Sequence, residues 1–240
     1  MTTLKIAAPK IVSRGEWLEA RKQLLLEEKS YTRQGDALGA KRRDLPWVRV
    51  DKEYVFEAPD GKKTLGDLFQ GRSQLMVQHF MFGPGWKEGC PSCSFMADHV
   101  GGALVHLAHR DVTFVAVSRA PLAQIESFRK RMGWEFKWVS SFGSEFNYDY
   151  RVSFTKEQLA QGQAHYNYKS EEFSIEEAPG ISVFYRDDAG TVFHTYSTYG
   201  RGCETMMGTY RLVDLVPEGR NEAGLPYTMA WLRHHDRYGD

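Results

Sequence analysis

The sequence predicts an α/β domain, and three observations carry that prediction. Two apolar runs, Leu75–Phe82 and Val112–Val117, are apolar on both faces apart from Gln78 and His79, as strands at the centre of a parallel sheet are. A helical pattern follows each run; the second starts at Pro121 and spaces Leu122, Ile125, Phe128 and Met132 by three and four. A third short strand pattern, Phe136–Val139, completes the order strand, helix, strand, helix, strand. That order calls for right-handed crossovers.

The elements follow in chain order. Ser13-x-x-Glu16 is a capping-box pattern, and a helical run follows through Trp17, Leu18, Leu24, Leu25 and Leu26. Gly35, Gly39 and the basic run Lys41-Arg42-Arg43 are expected to interrupt it. Residues 1–43 read as an N-terminal helical extension that packs on the main domain, with a subunit contact as the open alternative. From Trp47 the period becomes that of strands, with Trp47–Val50 and Tyr54–Phe56 ahead of the turn signal Pro59-Asp60-Gly61. Thr64–Phe69 reads as a short helical turn. After Cys93 a helix is expected to about His109, weakened in its middle by Gly101-Gly102.

Residues 141–178 are less regular and rich in Phe, Tyr, Asn and Glu, and read as an insertion or lid. Ile181–Arg186 and Thr191–Tyr196, joined by Asp188-Ala189-Gly190, predict a β-hairpin, and Cys203–Val213 predicts the last helix. The main domain spans 44–216. Residues 217–240 form a polar tail, punctuated by Gly and Pro, that packs on it.

Composition narrows the function classes. Thirty-one basic residues balance thirty-one acidic ones, so no global field recruits nucleic acid or an anionic membrane. Lys41-Arg42-Arg43 is short, is followed by Asp44, and reads as a solvated loop. The stretch Met1–Pro9 lacks the apolar core of a signal peptide, and nothing approaches the roughly 18 apolar residues a membrane helix needs. The expectation is a cytoplasmic protein with no membrane or nucleic-acid partner. Three cysteines do not make a disulfide-stapled secreted fold.

The chemistry is concentrated at Cys90-Pro91-Ser92-Cys93, where the first apolar run gives way to a helix. There the unpaired N–H groups of the helix start favour a thiolate at Cys90, the species that attacks disulfides. A Cys-x-x-Cys also supplies half of a tetrahedral zinc site, which His99, His106, His109, His194 or Cys203 would have to complete. No second paired-ligand motif accompanies it, and no metal ligands are assigned. No phosphate-binding loop, Rossmann fingerprint or Ser-His-Asp pattern appears.

Laid out this way, residues 54–213 resemble the thioredoxin superfamily and its redoxin branch. The lead-in Asp60-Gly61-Lys62-Lys63-Thr64-Leu65-Gly66-Asp67-Leu68-Phe69-Gln70-Gly71 precedes the strand, the Cys-x-x-Cys and the helix in the order of that branch. The longer pattern is His79–Phe82, Gly89–Phe95, Ser118–Pro121, Met132-Gly133-Trp134 and Phe193–Ser197. It is similar, over nearly the whole chain, to an uncharacterised bacterial thioredoxin-like family known as a domain of unknown function.

The resemblance implies a thioredoxin-like, redoxin-type α/β fold with an N-terminal helical extension and an insertion before the final hairpin. It implies Cys90 as nucleophile and Cys93 as resolving cysteine, with Pro179 in the place where such proteins hold a cis-proline beside the dithiol. Trp86 is the nearest candidate for the tryptophan that normally abuts the first cysteine, because Gly89 holds that place. Pro91-Ser92 replaces the usual Gly-Pro, so no redox potential carries over. The peroxiredoxin signature fails, since Lys87 and Gly83 stand where a Thr or Ser and a Pro are required.

The function expected is thiol–disulfide exchange through Cys90 and Cys93, with protein or small-molecule thiols and disulfides as partners. No cofactor is expected beyond the redox-active Cys90–Cys93 disulfide. Two alternatives stay open: a redox-inactive binding or metal-sensing module, and a peroxide-reducing thiol enzyme. Arg119, at a strand C-terminal end, is a candidate for holding an anion or substrate carboxylate, with a structural salt bridge weighed equally. Lys87 would favour the thiolate and Glu88 oppose it. His79 reads as a buried hydrogen-bonded residue ahead of a proton shuttle, and Cys203 as a small, partly buried residue ahead of a second resolving thiol. The oligomeric state is open, a homodimer included.

Overall fold

The computed structural model describes residues 9–239. Residues 1–8, where the extension begins and the signal-peptide reading falls, lie outside the described residues, as does Asp240. The chain divides into two compact units: residues 1–46 with 213–221, and residues 47–212 with 222–240.

The first unit is dominated by α1 (Arg14–Arg43). Ser13 and Glu16 form the reciprocal capping box that the sequence indicates. The expected interruption does not occur: α1 runs through Gly35 and Gly39 and ends at Asp44, with Lys41, Arg42 and Arg43 in its last turn. A glycine inside a helix costs only about 1 kcal/mol, and the cationic last turn suits the negative end of the helix dipole. The basic run is therefore a helix terminus.

Among the described residues the second unit holds ten strands: β1 (Val48–Arg49), β2 (Val55–Ala58), β3 (Gly61–Thr64), β4 (Gln74–His79), β5 (Val112–Ser118), β6 (Lys137–Ser140), β7 (Ala164–Tyr166), β8 (Lys169–Glu171), β9 (Gly180–Arg186) and β10 (Val192–Tyr199). Eight form one sheet in the order β1-β10-β9-β4-β5-β6-β2-β3, and β7 and β8 form a separate hairpin. β4, β5 and β6 are mutually parallel, and β9 and β10 continue the sheet antiparallel. The parallel centre exists because crossovers intervene: α2 (Pro91–Ala97) and α3 (Leu104–His109) between β4 and β5, and α4 (Leu122–Arg131) between β5 and β6.

Alternation along β5 shows how the sheet is buried on both faces. Phe114 and Ala116 join one apolar cluster with Phe80, Cys93, Ile125, Phe128 and Trp138. Val115 and Val117 join the other with Phe56, Leu75, Val77, Phe146 and Phe184. A period of two on a twice-covered sheet reads in sequence as a continuous apolar run.

Other elements depart from expectation. The helix after Cys93 is broken into α2, a 3-10 turn at Gly101–Ala103, and α3, so α2 stops at Ala97 and the glycine pair lies within the break instead of merely weakening one helix. Thr64–Phe69 splits into the end of β3 and a 3-10 turn at Asp67–Phe69. The expected last helix from Cys203 is a 3-10 segment, Gly200–Met206, followed by α7 (Gly208–Val213). Residues 141–178 hold α5 (Phe146–Asp149), α6 (Lys156–Ala160) and the β7–β8 hairpin, an insertion that sits immediately before β9 and β10. Among the described residues no helix is long and apolar enough to cross a membrane.

Candidate functional site

The site forms where the chain leaves β4. Phe80 N–H donates to the Val117 carbonyl and Ala120 N–H to the Phe82 carbonyl, prolonging the β4–β5 ladder past the strand ends. Residues 83–89 then loop outward and back, so that Cys90 N–H donates to the Met81 carbonyl at 3.0 Å. Gly85, at φ +80°, occupies the left-handed region that glycine tolerates without strain. Gly89 is required for room: a Cβ there would lie 2.6 Å from Phe80 Cε1 and 2.8 Å from Phe128 Cε1.

Cys90 caps α2 with an extended ψ of 131°, and Pro91 occupies the first helical position, which suits its fixed φ and missing N–H. Cys90 is half-buried and Cys93 buried, and all three cysteines are free thiols. The Cys93 thiol donates its hydrogen to the Cys90 sulfur, and this bond is the largest influence holding Cys90 below the ordinary thiol range. Burial opposes it, and the backbone N–H groups of Cys93 and Ser92 add to it. Cys93 moves the other way, raised by the loss of that same hydrogen bond on ionising, by burial and by the charge on Cys90. The pair therefore holds one readily lost proton and one tightly kept.

Supporting groups lock this arrangement. Gln78 Nε2 donates to the Cys93 carbonyl at 3.0 Å, and Met81 N–H points at Cys93 Sγ, 3.5 Å away. Lys87 is exposed. Glu88 does not face the thiols uncompensated: Arg131 and Arg237 each donate to its carboxylate at 2.8 Å. Burial pushes the Glu88 carboxyl up, but these two bonds outweigh it and hold it below its ordinary value.

The sequence-indicated residues gather unequally. Trp86 and Cys90 each pack against the apolar cluster that contains Cys93. Pro179 lies at the same end of the sheet, since the next residue, Gly180, pairs with His79. The expected cis bond is absent: no cis peptide occurs among the described residues. The trans Ala178–Pro179 unit is held by Ala178 N–H on the Val152 carbonyl and by Tyr166 Oη–H on the Pro179 carbonyl at 2.7 Å.

Arg119 is engaged within the fold. Its guanidinium lies 4.6 Å over the Tyr148 ring, and Nη1 approaches Glu177 Oε1 at 2.9 Å without hydrogen-bond alignment, since neither atom has a hydrogen-bond partner. Glu177 is buried and accepts from Ser153 Oγ at 2.9 Å. Burial pushes its carboxyl up to about 7, against the pull of Arg119 and the Ser153 bond. A Cβ on Gly83 would come within 3.2 Å of both the Glu177 side chain and Trp86 Nε1. Glu177 and Tyr148 thus reach the edge of the site from the insertion, and the sequence marks neither beyond Glu177 lying two residues before Pro179.

Among the other candidates, His106 and His109 lie in the last turn of α3, and the rest are engaged elsewhere. His99 bonds the Phe95 carbonyl and Thr209, and His194 bonds Ser197 Oγ and the Tyr196 carbonyl. No group of three His, Cys, Asp or Glu that could hold a metal ion lies together among the described residues. His79 is fully buried, pushed down to about 3 by burial, and bonded to Ser182 Oγ at 2.7 Å. Cys203 is buried within the 3-10 segment, and burial pushes its thiol up to about 12. That burial fits a small packed residue and opposes the second resolving thiol.

A family described as "Bacterial protein of unknown function (DUF899)" matches residues 6–238. The chain belongs to that family. Solved structures to which this DUF899 protein is similar include a PrxQ mutant from Xylella fastidiosa, at 15% identity and a TM-score of 0.42 over 66% of this chain and 88% of that one. Others are the peroxidoxin BcpB from Mycobacterium tuberculosis, at 12%, 0.42, 70% and 96%, and a mitochondrial 2-Cys peroxiredoxin from Plasmodium falciparum, at 11%, 0.41, 69% and 93%. No curated protein matches. The DUF899 chain has the thioredoxin-like, redoxin-type α/β fold: a parallel β4–β5–β6 centre, the antiparallel β9–β10 hairpin beside β4, and the Cys-x-x-Cys opening the helix after β4.

Proposed function

We propose that this DUF899 protein is a thiol–disulfide oxidoreductase in which Cys90 is the nucleophile and Cys93 resolves. The observation that carries the reading is the asymmetry of the pair: a half-buried Cys90 held toward the thiolate beside a buried Cys93 held toward the thiol. Attack by the Cys90 thiolate on a substrate disulfide forms a mixed disulfide and expels one substrate thiolate. Cys93 then gives up its proton and attacks the Cys90 sulfur. The Cys90–Cys93 disulfide forms, and the second substrate thiolate leaves. The substrate gains two electrons, the protein loses two, and a thiol donor restores the dithiol.

Trp86 and Pro179 are the side chains from which a substrate surface beside Cys90 would be built. Arg119, tied to Tyr148 and Glu177, supports that edge and is not a free anion site. No cofactor enters the steps, and a reducing, cytoplasmic setting suits a dithiol that must be restored. Titration across a thiol/disulfide series, read by intact mass, is expected to show one reversible two-electron couple that is lost in Cys90→Ser and in Cys93→Ser. The absence of a couple in the wild type overturns the proposal. Brief peroxide treatment followed by dimedone is expected to leave Cys90 unlabelled, and rapid labelling would favour peroxide reduction instead.

A further inference from the structure

The C-terminal segment grips residues on either side of the dithiol, Glu88 and Gly89 before it and Asp98 after it. Leu232 and His234 are buried, with 4% and 2% of their surfaces exposed, and the His234 ring meets Phe128 edge-on at 5.2 Å. His234 Nδ1 lies 3.2 Å from Arg131 Nη2, and Nε2 lies 2.8 Å from the Gly89 carbonyl. A guanidinium only donates, so Nδ1 is the acceptor and Nε2 carries the hydrogen given to Gly89.

That carbonyl belongs to the peptide joining Gly89 to Cys90. The N–H of the same peptide donates to Met81, so the unit is pinned at both ends, by β4's continuation on one side and by His234 on the other. The neighbouring charge is managed by the same segment. Arg237 and Arg131 take the Glu88 carboxylate, and Asp236 holds Arg131 in place through two bonds of 2.8 and 2.9 Å. At the far end of α2, Asp98 Oδ1 accepts from both His235 Nδ1 at 2.7 Å and Trp134 Nε1 at 2.8 Å. The segment therefore fixes the chain just before Cys90 and the residue that closes its helix.

We propose that His234 is a positioning residue for Cys90, acting through the Gly89–Cys90 peptide, with Arg131, Asp236 and Arg237 completing a clamp that keeps Glu88 away from the sulfur. The proposal rests on Cys90 being the nucleophile. A pinned peptide holds Cys90 where the Cys93 thiol and the first N–H groups of α2 meet its sulfur. A freed one lets it turn away and returns the thiol toward its ordinary range.

The test is the pH profile of Cys90 alkylation by iodoacetamide, read by peptide mass on the full-length chain. His234→Leu is expected to move the midpoint up by about one unit, which is about tenfold less thiolate on the acid side. His234→Gln is expected to restore the wild-type midpoint, because its amide donates to Gly89 while its oxygen accepts from Arg131. An unmoved midpoint in His234→Leu, or equal shifts in both variants, overturns the clamp. If His234→Leu does not fold, Arg237→Gln, which leaves His234 in place, is expected to shift the profile upward by a smaller amount, and no shift overturns the clamp. The profile is readable whether or not the protein cycles. A wild type with no reversible couple sinks the oxidoreductase reading, whereas an intact couple with an unshifted His234→Leu sinks the clamp alone.

Discussion

Gln78 donates from Nε2 to the carbonyl of Cys93 across 3.0 Å, tying the central strand to the first turn of the dithiol helix from beneath. The same side chain leaves Oε1 buried without a hydrogen-bond partner, so the tether carries a desolvation cost. Gln78→Met keeps the volume, removes the bond and removes the unpartnered oxygen together. The two changes oppose, and the urea midpoint is expected to report a stability change below about 1.5 kcal/mol. Freed at its first turn, α2 is expected to expose Cys93, so that alkylation of Cys93 at pH 8 rises while stability holds. A loss of several kcal/mol with no gain in Cys93 labelling would show that Gln78 serves the core and not the dithiol.

The three cysteines are expected to separate by pH. Cys90, held low chiefly by the hydrogen bond from Cys93, gains reactivity as pH rises through its depressed pKa and reaches a plateau below the ordinary thiol range. Cys93, held well above that range, and Cys203, pushed up to about 12, remain unlabelled at neutral pH. Cys93→Ala deletes the donor and moves the Cys90 plateau to higher pH. Equal labelling of Cys90 and Cys93 at pH 7 would contradict the asymmetry on which the mechanism depends.

Glu177 makes a signed prediction about stability. Its folded pKa, raised by burial from 4.5 to about 7, means that the folded chain keeps a proton there that the unfolded chain releases. That contribution is complete below about pH 4.5 and is lost as pH rises through 7; the full span is about 3 kcal/mol. His79 works in the opposite sense. Its pKa is pushed down to about 3 by burial, so its contribution is lost as pH falls from about 6.5 toward 3. The two overlap in the wild-type curve, so the measurable quantity is a difference. Urea midpoints of wild type and Glu177→Gln, compared at pH 5 and pH 8, are expected to show the variant gaining about 2–3 kcal/mol on the wild type at the higher pH. Parallel curves would mean that Glu177 is charged throughout.

What the sequence reveals depends on whether a feature is local. The positions of β4, Cys90 and Cys93 are legible because a twice-buried strand leaves an apolar run, and a helix start leaves a cap and a proline. The start of α1 is legible in Ser13 and Glu16 for the same reason, whereas its end is not: Gly35 and Gly39 resemble stop signals, yet neither closes a helix whose backbone bonds continue. The trans state of Pro179 depends on Val152 and Tyr166 holding the units on either side of it, contacts from 13 and 27 residues away. Glu177 and His234 have no motif at all. One becomes a weaker acid only through its burial in the fold, against the pull of Arg119 and Ser153, and the other acts only once Gly89, 145 residues earlier, comes within 2.8 Å.

Gly89→Ala tests the packing under the loop directly. The added methyl would stand 2.6 Å from Phe80 Cε1 and 2.8 Å from Phe128 Cε1, distances no carbon pair sustains. Neither ring has free room: Phe80 packs on Trp138 with centroids 4.3 Å apart, and Phe128 meets Phe82 edge-on at 5.7 Å and His234 at 5.2 Å. Relief therefore has to come from the loop, which must lift at the residue before Cys90. Overpacking of this kind typically costs about 1–3 kcal/mol, and thermal unfolding is expected to register it as a drop in Tm. The lift also pulls the Gly89 carbonyl from His234 and the Cys90 N–H from Met81, so the Cys90 alkylation midpoint is expected to rise in the same variant. A destabilised Gly89→Ala with an unchanged midpoint would separate the core beneath the loop from the reactivity above it.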